Sequence, residues 1–120
     1  MKNKKPDNPR LLELIRFLQK MSRENDAKIW NAIANVLSKP RSMRVSINLS
    51  RISRHSEKGE VVAVPGKVLG SGTINHPVTV AAFSFSPAAR EKIRRVKGKC
   101  LTFSELVKKN PRGSNVRIVV

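Results

Sequence analysis

Tyrosine is absent from this chain of 120 residues, and only one tryptophan, four phenylalanines, one cysteine and two histidines occur in it. Proteins that read single strands stack bases on exposed aromatic rings, and so few rings, most at positions that read as core, exclude stacking as the main device. Cys100 has no cysteine partner for an intrachain disulfide. It falls in a plausible strand, "KCLTF", where a small buried hydrophobe fits. His55, His76 and Cys100 form no cluster at metal-ligand spacing, so no metal and no cofactor is expected. No apolar run approaches the ~20 residues that span a bilayer. The opening "MKNKKPDNPR" has no apolar stretch behind it, which predicts a soluble, cytoplasmic protein.

Acidic residues are the other scarcity. Eight Asp and Glu stand against 25 Lys and Arg, a formal net charge of +17 with 39% hydrophobic content. The length suits one domain with a true core, assigned to residues 9–120 behind a basic tail at 1–8. Such a charge repels itself unless an anion neutralises it. Basic residues recur through the whole chain rather than in one amphipathic helix, which favours a large polyanion over a membrane surface.

Hydrophobic periodicity organises the rest. Asn8 and Pro9 open a helix with Leu11, Leu14, Ile15, Leu18 and Met21 on one side, and Asp26 is positioned to cap a second, carrying Ile29, Trp30, Ile33, Ala34 and Leu37. From Met43 to Leu49 the period falls to two, then Leu49 to Arg54 suits a helical turn and Val61 to Val64 a buried strand. A glycine loop follows, then a β-rich run from Thr73 to Phe85 interrupted by Pro77. Ser86 and Pro87 start a helix ended by Gly98, Thr102 and Glu105 have capping-box spacing, and Val116, Ile118 and Val120 alternate in a last strand. The fold class is α/β, two N-terminal helices followed by short strands interleaved with short helices.

The loop "VPGKVLGSG", Val64 to Gly72, resembles a phosphate-binding loop at first sight. A P-loop needs Ser or Thr after Gly-Lys and a glycine five residues earlier, whereas Val68 and Val61 stand there. A dinucleotide fingerprint from Gly70 and Gly72 would need glycine at Asn75 and a helix directly after. Both readings fail, no other catalytic constellation appears, and the chain is not expected to be an enzyme.

Three blocks, "LSKPRSMRVSINLSRI" (37–52), "VVAVPGKVLGSG" (61–72) and "NPRGSNVRIV" (110–119), resemble the eighteen-e family of archaeal and eukaryotic large-subunit ribosomal proteins, relatives of bacterial protein L fifteen. The motif falls on Pro40, Arg41, Asn48, Leu49, Arg51 and Ile52, on Pro65, Gly66, Lys67, Gly70 and Gly72, and on Asn110, Pro111, Gly113 and Ser114. The short length looks archaeal. The resemblance implies the fold of the L-fifteen relatives and a structural role on folded large-subunit rRNA beside neighbouring ribosomal proteins, as a monomer. A general RNA- or DNA-binding protein outside the ribosome is the alternative.

Physical reasoning then selects contacts. Arg41, Arg44, Arg51 and Arg54, with Lys39 and Asn48 beside them, are expected to clamp neighbouring phosphates. Lys67 and Ser71 with the glycines are a second candidate contact, and Arg90, Arg94, Arg95 and Lys97 of the basic helix a third, with Arg112 in the terminal block. A basic face that is merely solvated, and glycines that merely turn the chain, are the plainer alternatives.

Overall fold

The computed structural model describes residues 8–40 and 45–120. The basic segment 1–7 and the expected contacts Arg41 and Arg44, with Met43, therefore lie outside the described residues. Helices α1 (Pro9–Glu24) and α2 (Lys28–Leu37) precede β1 (Val45–Asn48), α3 (Leu49–Arg54), β2 (Val61–Leu69), β3 (Thr79–Phe85), α4 (Pro87–Arg95), β4 (Lys99–Leu101), α5 (Phe103–Lys109) and β5 (Val116–Ile118). This is the expected α/β order.

All the strand pairs are parallel. The sheet runs β1-β2-β3-β4, and β5 joins β2 on the edge that β1 also uses. That sharing is possible because β5 pairs with Val61–Ala63 and β1 with Gly66–Leu69. Between the two lies Pro65, which lacks an N–H to donate and is normally unwelcome in a central strand. Here one neighbour has ended and the other has not begun, while the pairing with β3 shifts register between Val64 and Lys67. Proline thus sits where neither ladder needs its nitrogen.

A parallel sheet must be covered on both faces, and alternation along the strands does this. Ala63, Ala81 and Leu101 face a layer made by α1, α2 and α5, which contributes Leu11, Leu18, Trp30, Ile33, Phe103 and Leu106. Val62, Val64, Val68, Val80 and Ala82 face α3 and α4, which contribute Leu49, Ile52, Ala89 and Ile93. Helices α3 and α4 lie within the steps from β1 to β2 and β3 to β4, and α5 covers the opposite face on the return to β5, as right-handed crossovers require. Trp30 is fully buried, and its indole Nε1–H donates to Pro111 O at 2.7 Å. Asn110 and Ser114 bind each other's polar groups reciprocally, and Gly113 (φ +65) lies against Ile29, so the 110–114 block is a clasp on α2.

Several local expectations are corrected. β2 continues through Pro65, Gly66 and Lys67 to Leu69, so the loop begins only at Gly70. The reason is β1: Gly66 pairs with Val45, and a Cβ there would collide with the Val45 carbonyl. The run 73–85 is a strand only from Thr79, with Ile74 and Val78 buried as irregular chain. Asp26 does not cap α2; it adopts φ +50, and Ala27 is the N-cap, without a side-chain hydrogen bond. At the end of α4 the left-handed residue is Lys97 (φ +63), whereas Gly98 is required for space, a Cβ there falling 2.5 Å from Val78 O. Val119 rather than Val120 turns inward after β5, and Val120 is exposed. The expected caps of Ser86 on Ala89 N and the Thr102–Glu105 box are both present.

Gly66→Ala should separate β1 from β2 and destabilise the protein by about 1–3 kcal/mol, the cost of forcing atoms into a packed site, whereas Gly59→Asn, at a left-handed position with open space around it, should cost less in denaturant unfolding. The Thr102 N–H that Glu105 accepts holds its carboxyl below the ordinary value of 4.5. That stabilisation is complete above the ordinary value and is lost as pH falls through the depressed one. Glu105→Gln keeps the cap without titrating, so it should lose less stability than the native chain between pH 7 and pH 3; equal losses would remove Glu105 from the acid response.

Candidate nucleic-acid interface

Apolar anchoring on one side makes α3 and α4 basic on the other. With Leu49 and Ile52 buried, Arg51 and Arg54 project from the exposed side of α3. With Ala89 and Ile93 buried, Arg90, Arg94 and Arg95 project from α4. Both helices cover the same face of the sheet, and together they carry Arg51, Arg54, Arg90, Lys92, Arg94 and Arg95 against Glu91 alone.

The arginines are not equivalent. Arg51 donates Nε–H to Val120 O at 2.9 Å, which leaves the outer edge of its guanidinium for a second acceptor. Arg90 lies over the Phe85 ring, 5.1 Å from its centroid, a contact of about 0.5–1 kcal/mol at an exposed site. Arg94 lines a shallow groove with Arg90, Lys99 and Cys100. Arg95 bonds Glu91 at 2.7 Å, both side chains being well exposed, so the pair contributes little to stability but occupies the Arg95 guanidinium.

Other expected contacts are scattered. Lys39 is exposed just after α2, and Asn48 is the N-cap of α3 with its amide unused in the cap. Lys67 is exposed on β2 opposite Ser46 and Ser84, and Ser71 is exposed in the loop after it. Lys97 is exposed at the end of α4. Arg112 belongs elsewhere: it lines a groove of mixed charge with Glu24, Asp26 and Lys109, beside the helices of the opposite layer. His76 is half-buried, with Nε2 3.0 Å from Ser56 Oγ.

Lys92 is the informative departure. Helical spacing suggests that it faces outward with its basic neighbours, yet it is half-buried, and Nζ donates to Gly70 O at 2.7 Å and Gly72 O at 3.0 Å. It stands three residues after Ala89 and one before Ile93, at the border of the apolar stripe, and a long side chain there can turn either way. Lys99 and Arg117 also belong to the basic surface; alternation of Val116 and Ile118 already pointed Arg117 outward, where it pairs with Glu60 at 3.1 Å.

A family model described as "Ribosomal protein 60S L18 and 50S L18e" matches residues 1–120. The chain belongs to this family. It is 52% identical over 112 residues to the large ribosomal subunit protein eL18 of Methanoregula boonei and 51% identical over 112 residues to that of Methanospirillum hungatei, in each case across 93% of both chains. With the eL18 of Methanococcus maripaludis it shares 48% over 119 residues, 99% of both. Similarity that runs end to end covers both helix layers and the glycine loop of this L18e chain rather than one motif. Among the described residues no group of His, Cys, Asp and Glu is placed to hold a metal, and no helix is long and apolar enough to cross a membrane.

Cys100 tests the electrostatics of the α4 groove. It is half-buried rather than buried, and burial pushes its thiol up from the ordinary value while Arg90 and Arg94 pull it down. Because the thiolate is the reactive form, alkylation at pH 8 should be slower in the folded than in the urea-unfolded chain. Arg90→Gln with Arg94→Gln should slow it further; faster alkylation in that variant would show that the two cations do not act on the thiol.

Proposed function

We propose that this L18e chain is a structural constituent of the large ribosomal subunit, binding and stabilising folded rRNA in the cytoplasm through phosphate and ribose contacts rather than catalysing a reaction. Its similarity along the full length to proteins named for that subunit supports the reading. The observation that carries the mode of binding is the basic outer side of the α3–α4 layer. Arg51, Arg54, Arg90 and Arg94 are exposed there with forks suited to phosphate, and no tyrosine is present to stack bases. Arg41 and Arg44, which precede β1 in the sequence, are counted among the contacts, together with Lys39 and Asn48. Lys67, Ser71, Arg95 and Lys97 form the margin of the interface. Arg112, on the mixed-charge groove, takes a lesser part or faces a neighbouring ribosomal protein. The chain acts as a single copy within the particle.

Replacing Arg51, Arg54, Arg90 and Arg94 by Gln tests this directly. Affinity for large-subunit rRNA should fall, and the slope of log K against log salt should flatten by about 0.7–0.9 for each phosphate that is no longer neutralised, with the melting temperature little changed. An unchanged slope would remove the α3–α4 layer from the interface. Sedimentation of a cell extract provides the wider check: the chain should stay with the large subunit through a salt wash, and its appearance in free or DNA-containing fractions would favour the general nucleic-acid binder instead.

A further inference from the structure

Three consecutive carbonyls of the loop after β2 point into the protein. Gly70 O and Gly72 O converge on the ammonium of Lys92, and Ser71 O accepts a long bond, 3.4 Å, from the Ser50 backbone N–H. Space around the two glycines is tight. A Cβ on Gly70 would lie 2.6 Å from the Ala88 Cβ, and one on Gly72, at φ +84, 2.6 Å from the Ser50 Cβ. The loop is therefore wedged between the starts of α3 and α4, with both glycines reading as close-approach positions.

In a trans peptide the C=O and the N–H that follows it point in opposite directions, and no peptide here is cis. Carbonyls 70, 71 and 72 directed inward therefore turn the N–H groups of Ser71, Gly72 and Thr73 outward. None of these three donates to an acceptor among the described residues, and all three residues are exposed. Successive N–H groups without an internal acceptor present partial positive charge suited to an anion. An ammonium bound to two carbonyls strengthens that polarisation and has a second effect: it ties both carbonyls to α4, and without it the loop is free to turn them elsewhere toward water.

We infer that Lys92 is a positioning residue, which holds the 70–72 carbonyls inward so that the Ser71, Gly72 and Thr73 amides are presented to a phosphate group. It rests on the rRNA reading above and deepens it: among the basic residues of α4, Lys92 acts through the loop, whereas Arg90 and Arg94 act at the surface. The loop's part is then played by backbone, and Ser71 contributes through its N–H.

The test uses the full chain labelled with nitrogen-15, titrated with inorganic phosphate at low salt. The Ser71, Gly72 and Thr73 amides should shift together and saturably. Lys92→Met should weaken that response about tenfold, the effect of losing one charge-assisted hydrogen bond, with the other amide signals in place. Lys92→Arg, which can still donate to both carbonyls, should restore most of it. Silent loop amides in the native chain would overturn the inference without any variant, and so would an undiminished response in Lys92→Met. Binding of the same three proteins to large-subunit rRNA separates the two levels. Weaker rRNA binding by Lys92→Met with its phosphate response intact would make Lys92 a direct contact and overturn the positioning role. An intact, Lys92-dependent phosphate response in a native chain that does not bind rRNA would support the positioning role and overturn the ribosomal reading.

Discussion

β2 is hydrogen-bonded along both edges, and every layer of the molecule is placed by it. β3 takes one side, and β5 and β1 divide the other end to end. The division depends on the Pro65–Gly66 step. Proline interrupts the ladder where no partner asks for its nitrogen, and glycine lets β1 approach within the space a side chain would occupy. Once β1 is docked there, α3 must start at Leu49, and the basic side of α3 comes to lie on the same face as α4.

A net charge of +17 would oppose compaction if it were spread evenly over unanchored side chains. The structure instead gives several cations local partners that hold geometry without neutralising it. Arg51 rests on a carbonyl, Arg90 on an aromatic ring and Lys92 on two carbonyls. Of these, Arg51 and Arg90 are exposed, and a side chain already restrained loses less freedom on meeting an external group, whereas Lys92 is turned back onto the loop. Ion pairs such as Arg95–Glu91 and Arg117–Glu60 do the opposite, occupying a cation with an acid. The difference between carbonyl and carboxylate partners separates cations that keep their full charge from those partly neutralised within the chain.

Much of the fold was legible where one chemical choice had one structural outcome. The stripe Leu11, Ile15, Leu18, the cap at Ser86, the Thr102–Glu105 box and the buried Trp30 followed from local spacing. The misreadings fell where a residue serves a distant segment. Pro65-Gly66 looks like a loop until β1 is known to lie beside it, and Gly98 looks like a left-handed cap until Val78 O is seen against it. The basic faces of α3 and α4 were readable from helical period, and their common placement was not, because β2 and β3 separate them in sequence.

The sequence by itself determined the class of partner and the family. The excess of Lys and Arg, the lack of stacking rings and the three blocks at 37–52, 61–72 and 110–119 are properties of composition and order, independent of how the chain is packed. Tertiary structure alone decided which members of an apparently uniform basic surface differ in role. Arg112 and Arg94 are both exposed arginines, yet one lines a groove of mixed charge and the other a groove with Arg90 and Lys99. Lys92 and Arg94 are two residues apart, yet one turns back to bind the Gly70 and Gly72 carbonyls. Charge is encoded residue by residue, whereas what a charged group faces depends on segments brought together from across the chain.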